Sequence, residues 1–156
     1  MTAAPAPPRH WQRWKRPPKL RPDWEPRLSA FLEAAASAPH EFGVNDCILF
    51  PAGAVEAQTG RDYAKGQRGR YRSAASASRY LRGIGFRSAE ELLDSILPGI
   101  PAAFAQRGDI VLSDGVPGVC IGGEALFVCH DQGDTGPERR ALPRWQRAWA
   151  VGRGGI

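Results

Sequence analysis

The sequence predicts an α+β domain, with helices in the first part and an antiparallel sheet in the second. Three observations lead there. Between residues 23 and 97, apolar side chains recur at helical spacing between Gly, Pro and Ser punctuation. From residue 109 onward the apolar runs become short, β-rich and separated by Gly-containing turns. Pro98 and Pro101 stand where the character changes and close the helical part. Helices followed by a meander make an α+β architecture, and 156 residues suffice for one domain with a real core but not for two comfortable ones.

Residues 1–22 read as an arm, and residues 23–156 as the domain. The arm holds Pro5, Pro7, Pro8, Pro17, Pro18 and Pro22, which oppose regular helix and favour extended chain. Six of the 21 basic residues lie there with no acidic residue, leaving 15 basic against 16 acidic in the domain. The formal charge of +5 therefore belongs to the arm, which argues against a nucleic-acid footprint on the folded surface. Trp11 and Trp14, with Arg13, Lys15 and Arg16, are expected to dock on a protein partner, the indoles as apolar anchors and the cations against acidic rim groups.

From Asp23, Leu28, Phe31, Leu32 and Ala35 share the face of a helix that ends before Pro39. A short link, His40-Glu41-Phe42-Gly43-Val44, leads to a second helix over 47–59, N-capped by Asp46 and stopped at Gly60. Its apolar content on nearly all sides puts it at the centre of the core. Residues 60–72 are polar and loop-like. A third helix over 73–82 stops at Gly83 and Gly85, and Ser88-Ala89-Glu90-Glu91 fits a capping box ahead of Leu92, Leu93 and Ile96. Strands are expected at 109–112, 118–121, 125–129 and 149–151, with Ile110, Val119 and Phe127 under the Cys47 helix. Arg139, Arg140, Arg144 and Arg147, with Trp145 and Trp149, read as an arginine-lined cover for a sheet edge.

The chemistry centres on Cys47. In the first turn of a helix a thiol meets free N–H groups and the positive end of the dipole, which favour the thiolate. Cys47, Cys120 and Cys129 are too scattered for a disulfide framework and lack C-x-x-C spacing, so no metal and no cofactor are predicted. Asp131, Asp134 and Glu138 match no calcium loop and read as a solvated turn. No apolar run is long enough for a membrane span, and no h-region of a secretion signal is present, so synthesis in the cytoplasm is expected.

Three motifs resemble those of the NlpC-type cell-wall peptidases, a papain-like superfamily, over roughly residues 25–151. They are Asn45-Asp46-Cys47-Ile48-Leu49-Phe50, Arg107-Gly108-Asp109-Ile110-Val111-Leu112 and Gly118-Val119-Cys120-Ile121-Gly122. More closely, Asp46 to Phe50, Arg68-Gly69-Arg70-Tyr71 and Gly118 to Gly122 resemble elements of a phage and prophage group of this lineage, often encoded among tail genes. The resemblance implies a papain-like NlpC-type fold, Cys47 as nucleophile at the start of the central helix, and a general-base histidine two positions before Gly118. That position holds Val116. The third polar position of the family's triad falls at Cys129, with His130 one step further and expected to point away if strand pairing is regular. His130 is the candidate base, Asp46 an N-cap or orienting group, and His40 a surface or capping histidine near the cleft.

The resulting expectation is a virion protein of a phage or phage-like tail, a structural or adaptor component with a degenerate cysteine-peptidase site. Its expected partners are other tail and baseplate proteins, and peptidoglycan. One alternative is an active thiol hydrolase on peptidoglycan peptides; another is a nucleic-acid-binding module using the arm.

Overall fold

A computed structural model of the chain describes residues 16–129 and 136–153. Four helices come first: α1 (Trp24–Ala35), α2 (Leu49–Thr59), α3 (Ala74–Gly83) and α4 (Ala89–Asp94). Six strands follow: β1 (Gly99–Ile100), β2 (Ile110–Ser113), β3 (Val116–Cys120), β4 (Glu124–Phe127), β5 (Glu138–Ala141) and β6 (Arg147–Trp149). They form one antiparallel sheet in the order β1-β6-β2-β3-β4-β5. The α+β class is as the sequence predicts. Among the described residues, no helix is long and apolar enough to cross a membrane.

Local chemistry explains the borders. Ser73 caps α3 by accepting from Ser76 N–H, and Ser88 caps α4 by accepting from Glu91 N–H. β2 and β3 are joined by Asp114-Gly115, both at positive φ (53° and 79°), the backbone of a tight two-residue hairpin turn. Two strands escape the sequence pattern. β1 has two residues, and β5 is Glu138-Arg139-Arg140-Ala141, whose charges hide a strand at the sheet edge.

The sheet is apolar on both faces. Ile110, Leu112, Val119 and Val128 pack with α1 and α2, around Leu28, Leu32, Phe50 and Val55. Val111, Cys120, Ala125, Phe127 and Ala148 form a second cluster with Trp145 and Ile100. Phe127 therefore lies on the face away from Cys47, correcting the expectation that grouped it with Ile110 and Val119. The reason is parity: Val119 pairs with Leu126, so Phe127, one step on, turns to the other side.

Asp109, in the second motif, anchors the sheet. It is 2 % exposed and accepts from the N–H groups of Gln106 and Val151, and it pairs with the Arg153 guanidinium. Packed chain also begins earlier than residue 23: Pro18 is buried, and Arg21 N–H donates to the Gln58 carbonyl at 2.8 Å. Arg16, the last of the proposed docking residues, is exposed, and its carbonyl accepts from Arg61. Trp11, Arg13, Trp14 and Lys15 lie outside the described residues, as does His130.

Candidate functional site

Asp46 organises the site. It is 1 % exposed, and each carboxylate oxygen accepts two hydrogen bonds. Oδ1 takes the N–H groups of Ile48 and Leu49, both at 2.9 Å, which is helix N-capping. Oδ2 takes Gly43 N–H at 2.9 Å and the Tyr71 hydroxyl at 2.8 Å. The Asp46 carbonyl meanwhile accepts from Phe50 N–H, closing the first helical bond. Cys47 thus stands in the first turn ahead of α2, although that turn is irregular. Pro51 has no N–H to give the Cys47 carbonyl, which accounts for regular helix beginning at Leu49.

The Arg68-Gly69-Arg70-Tyr71 element gains a physical role here. Tyr71 reaches Asp46, and Gly69 N–H donates to the Gly43 carbonyl at 2.8 Å. Gly43 has φ +82°, and a Cβ there would strike the Tyr71 carbonyl. Only glycine fits the corner that feeds the chain into the Asp46 cap.

The Cys47 side chain, half-buried, lines a small cleft of about 160 Å³ together with His40, Phe42, Val116, Val128, Cys129 and Arg140. The structure thus brings Cys47 and Val116 to one cavity and adds Cys129. His40 is there too, its ring edge-on to Phe42 at 4.4 Å between centroids. Both Val128 and Cys129 reach the cleft because β4 ends at Phe127, so strand parity no longer separates neighbours beyond it.

The thiol does not behave as helix position alone suggests. Burial pushes Cys47 up from 9.0 to about 12, the charges of Asp46 and Cys129 add to the rise, and the backbone N–H of Cys47 opposes it. A helix N-terminus is worth about 0.3–1 kcal/mol, less than one pH unit at roughly 1.4 kcal/mol per unit. Desolvation wins, and the expected thiolate preference is corrected to a retained proton. Asp46 is fully engaged in hydrogen bonds and works against ionisation of its neighbour, so it caps and supports without activating.

Arg140 is the residue that sequence reasoning placed on an outer edge and that the structure turns into the cleft. Its side chain is 10 % exposed and bonds Glu138 through Nε and Nη2 at 3.2 Å each and the Ser113 carbonyl through Nη1 at 2.8 Å. Nη2 also lies 3.5 Å from Cys129 Sγ, and the guanidinium stacks 4.8 Å from the Phe127 ring centre. The pairing of β5 with β4 sets Arg140 opposite Ala125 on the Phe127 face, and from there its long side chain reaches the lining of the cleft. No local signal announces that pairing. Arg147, by contrast, bonds Glu90 and Asp94 and stacks on Trp149, tying α4 to the sheet. Among the described residues, no group of three His, Cys, Asp or Glu side chains could hold a metal ion.

A family model described as a domain of unknown function (DUF6950) matches residues 19–151 of the chain. No curated protein and no solved structure matches it.

Proposed function

The chain belongs to that family, and we propose that it is a phage or phage-like tail protein of papain-like NlpC-type fold whose cysteine-peptidase site is degenerate. In this reading it is made in the cytoplasm, assembles into the virion through other tail or baseplate proteins, and serves as a structural or adaptor component. The observation that carries it is Val116 in the Cys47 cleft, where the resembled peptidases hold their base. Valine accepts no proton, and general base catalysis is typically worth about 10²–10⁴-fold. A thiol pushed up to about 12 supplies almost no nucleophile at neutral pH by itself.

A second reading rests on His40. It lines the same cleft, so a thiol hydrolase acting on peptidoglycan peptides would use Cys47 with His40 as base. Incubating the full-length protein with muropeptides and following products by mass spectrometry separates the two. The first reading expects no turnover above that of Cys47→Ala. Turnover lost in both Cys47→Ala and His40→Ala establishes the hydrolase instead. Immunogold labelling of assembled particles tests the tail assignment, which fails if the label stays with unassembled protein.

A further inference from the structure

The cleft holds two thiols, and they are set against each other. Cys47 enters from the first turn ahead of α2, and Cys129 from the chain just beyond β4. Both side chains line one small cleft, and the charge of Cys129 is among the influences, after burial and Asp46, that raise Cys47. Cys129 Sγ has Arg140 Nη2 at 3.5 Å on one side and the Glu138 carboxylate at 3.7 Å on the other. Arg140 is fixed by Glu138, the Ser113 carbonyl and the Phe127 ring, so its positive charge stays beside that sulfur. Cys120 offers an internal contrast. Its thiol donates to the Gly122 carbonyl within the second apolar cluster, and it does not line the cleft.

We propose that Cys47 and Cys129 form an oxidisable thiol pair, a modification site that takes a small peroxide and closes to a disulfide across the cleft. The cleft of about 160 Å³ has room for hydrogen peroxide. Cys129 reacts first, its thiol set beside the Arg140 guanidinium and donating to the Glu138 carboxylate, which draws off its proton as the sulfur attacks. Its sulfur bonds one peroxide oxygen, the O–O bond breaks, and the leaving hydroxide takes up a proton. Cys47 then attacks the sulfenic sulfur, an S–S bond forms as the S–O bond breaks, and the departing hydroxide carries the Cys47 proton away as water. Two thiols and one peroxide give one disulfide and two waters. The pairing does not depend on the tail assignment, and it turns a site poor at hydrolysis into one that records oxidation.

Full-length protein, reduced and freed of reductant, is treated with equimolar hydrogen peroxide, quenched with N-ethylmaleimide and digested without reduction for mass spectrometry. The expected product is a linked peptide pair carrying Cys47 and Cys129, reversed by dithiothreitol. It should persist in Cys120→Ser and vanish from Cys47→Ser and Cys129→Ser. Should either variant fail to fold, the wild-type digest decides by itself. Linkage through Cys120, separate sulfinic acids at Cys47 and Cys129, or three alkylated thiols after peroxide would each overturn the pair.

Discussion

Asp46 and Asp109 are the same residue in almost the same burial, 1 % and 2 % exposed, yet their charges are met in different ways. Each receives backbone N–H groups and fixes the start of a central element, α2 for Asp46 and β2 for Asp109. Asp109 also faces the Arg153 guanidinium, so its charge is answered where it sits. Asp46 is held by three N–H groups and a tyrosine hydroxyl and forms no ion pair among the described residues. Burial raises Cys47, Tyr63 and Tyr71 most, and the charge of Asp46 adds to the rise of each. A buried carboxylate satisfied by dipoles alone keeps its full charge among its neighbours, whereas Asp109 is partly balanced by Arg153 and still adds, after burial, to the rise of the Cys120 thiol.

The sharpest way to break this comparison is Asp46→Ala. Gly43, Ile48 and Leu49 N–H groups and the Tyr71 hydroxyl would lose their acceptor together. The expected loss is about 3 kcal/mol or more in chemical denaturation. A loss comparable to that of an exposed substitution would show that Asp46 is not the keystone described.

A smaller effect tests the paired partner. Burial raises Asp109 above the ordinary carboxyl value of 3.8, while the Gln106 and Val151 N–H groups and Arg153 pull it back. A carboxyl raised in the folded state binds its proton more tightly than the unfolded chain does. Its stabilising contribution is full below the unfolded value and is lost as pH rises through the folded one. Arg153→Gln removes a lowering influence, so its deficit should be about 1–2 kcal/mol near pH 7 and smaller near pH 4. Equal deficits at the two pH values would mean that Arg153 acts through packing. Asp94 provides the opposite sign. Arg147 and Trp149 hold it below 3.8, so its contribution is lost as pH falls.

The smallest expected effect sharpens the outward reach of Asp46. Asp46→Asn removes the charge while keeping much of the shape, so Cys47 alkylation by iodoacetamide near pH 9 should quicken on the order of threefold. An unchanged rate would show that the Asp46 charge contributes nothing to the high thiol value.

Much of this contrast is written locally. The Asp46 cap, the Gly60 stop, the Ser73 and Ser88 caps and the Asp114-Gly115 hairpin depend on neighbours in sequence, and each is where its residues put it. The cleft is different. Arg140 arrives through the β4–β5 register, on a strand whose charges conceal it. His40 sits in a link whose path depends on Gly43 packing against Tyr71, a contact between segments with no shared pattern. Phe127 was misplaced because a sheet apolar on both faces gives parity no polar side to register against.

The place of β6 has a consequence for biogenesis. The last strand of the described chain lies inside the sheet, between β1 and β2. Its closure joins partners far apart along the polypeptide, such as Trp149 with Gly99 and with Ile110. Such high contact order slows folding, because the loop entropy is lost before the pairing is gained. On the ribosome, β2 and β1 wait with open edges until residues 147–149 have emerged. The nascent domain is therefore an assembly that closes from its C-terminal end, with its greatest exposure to aggregation just before completion.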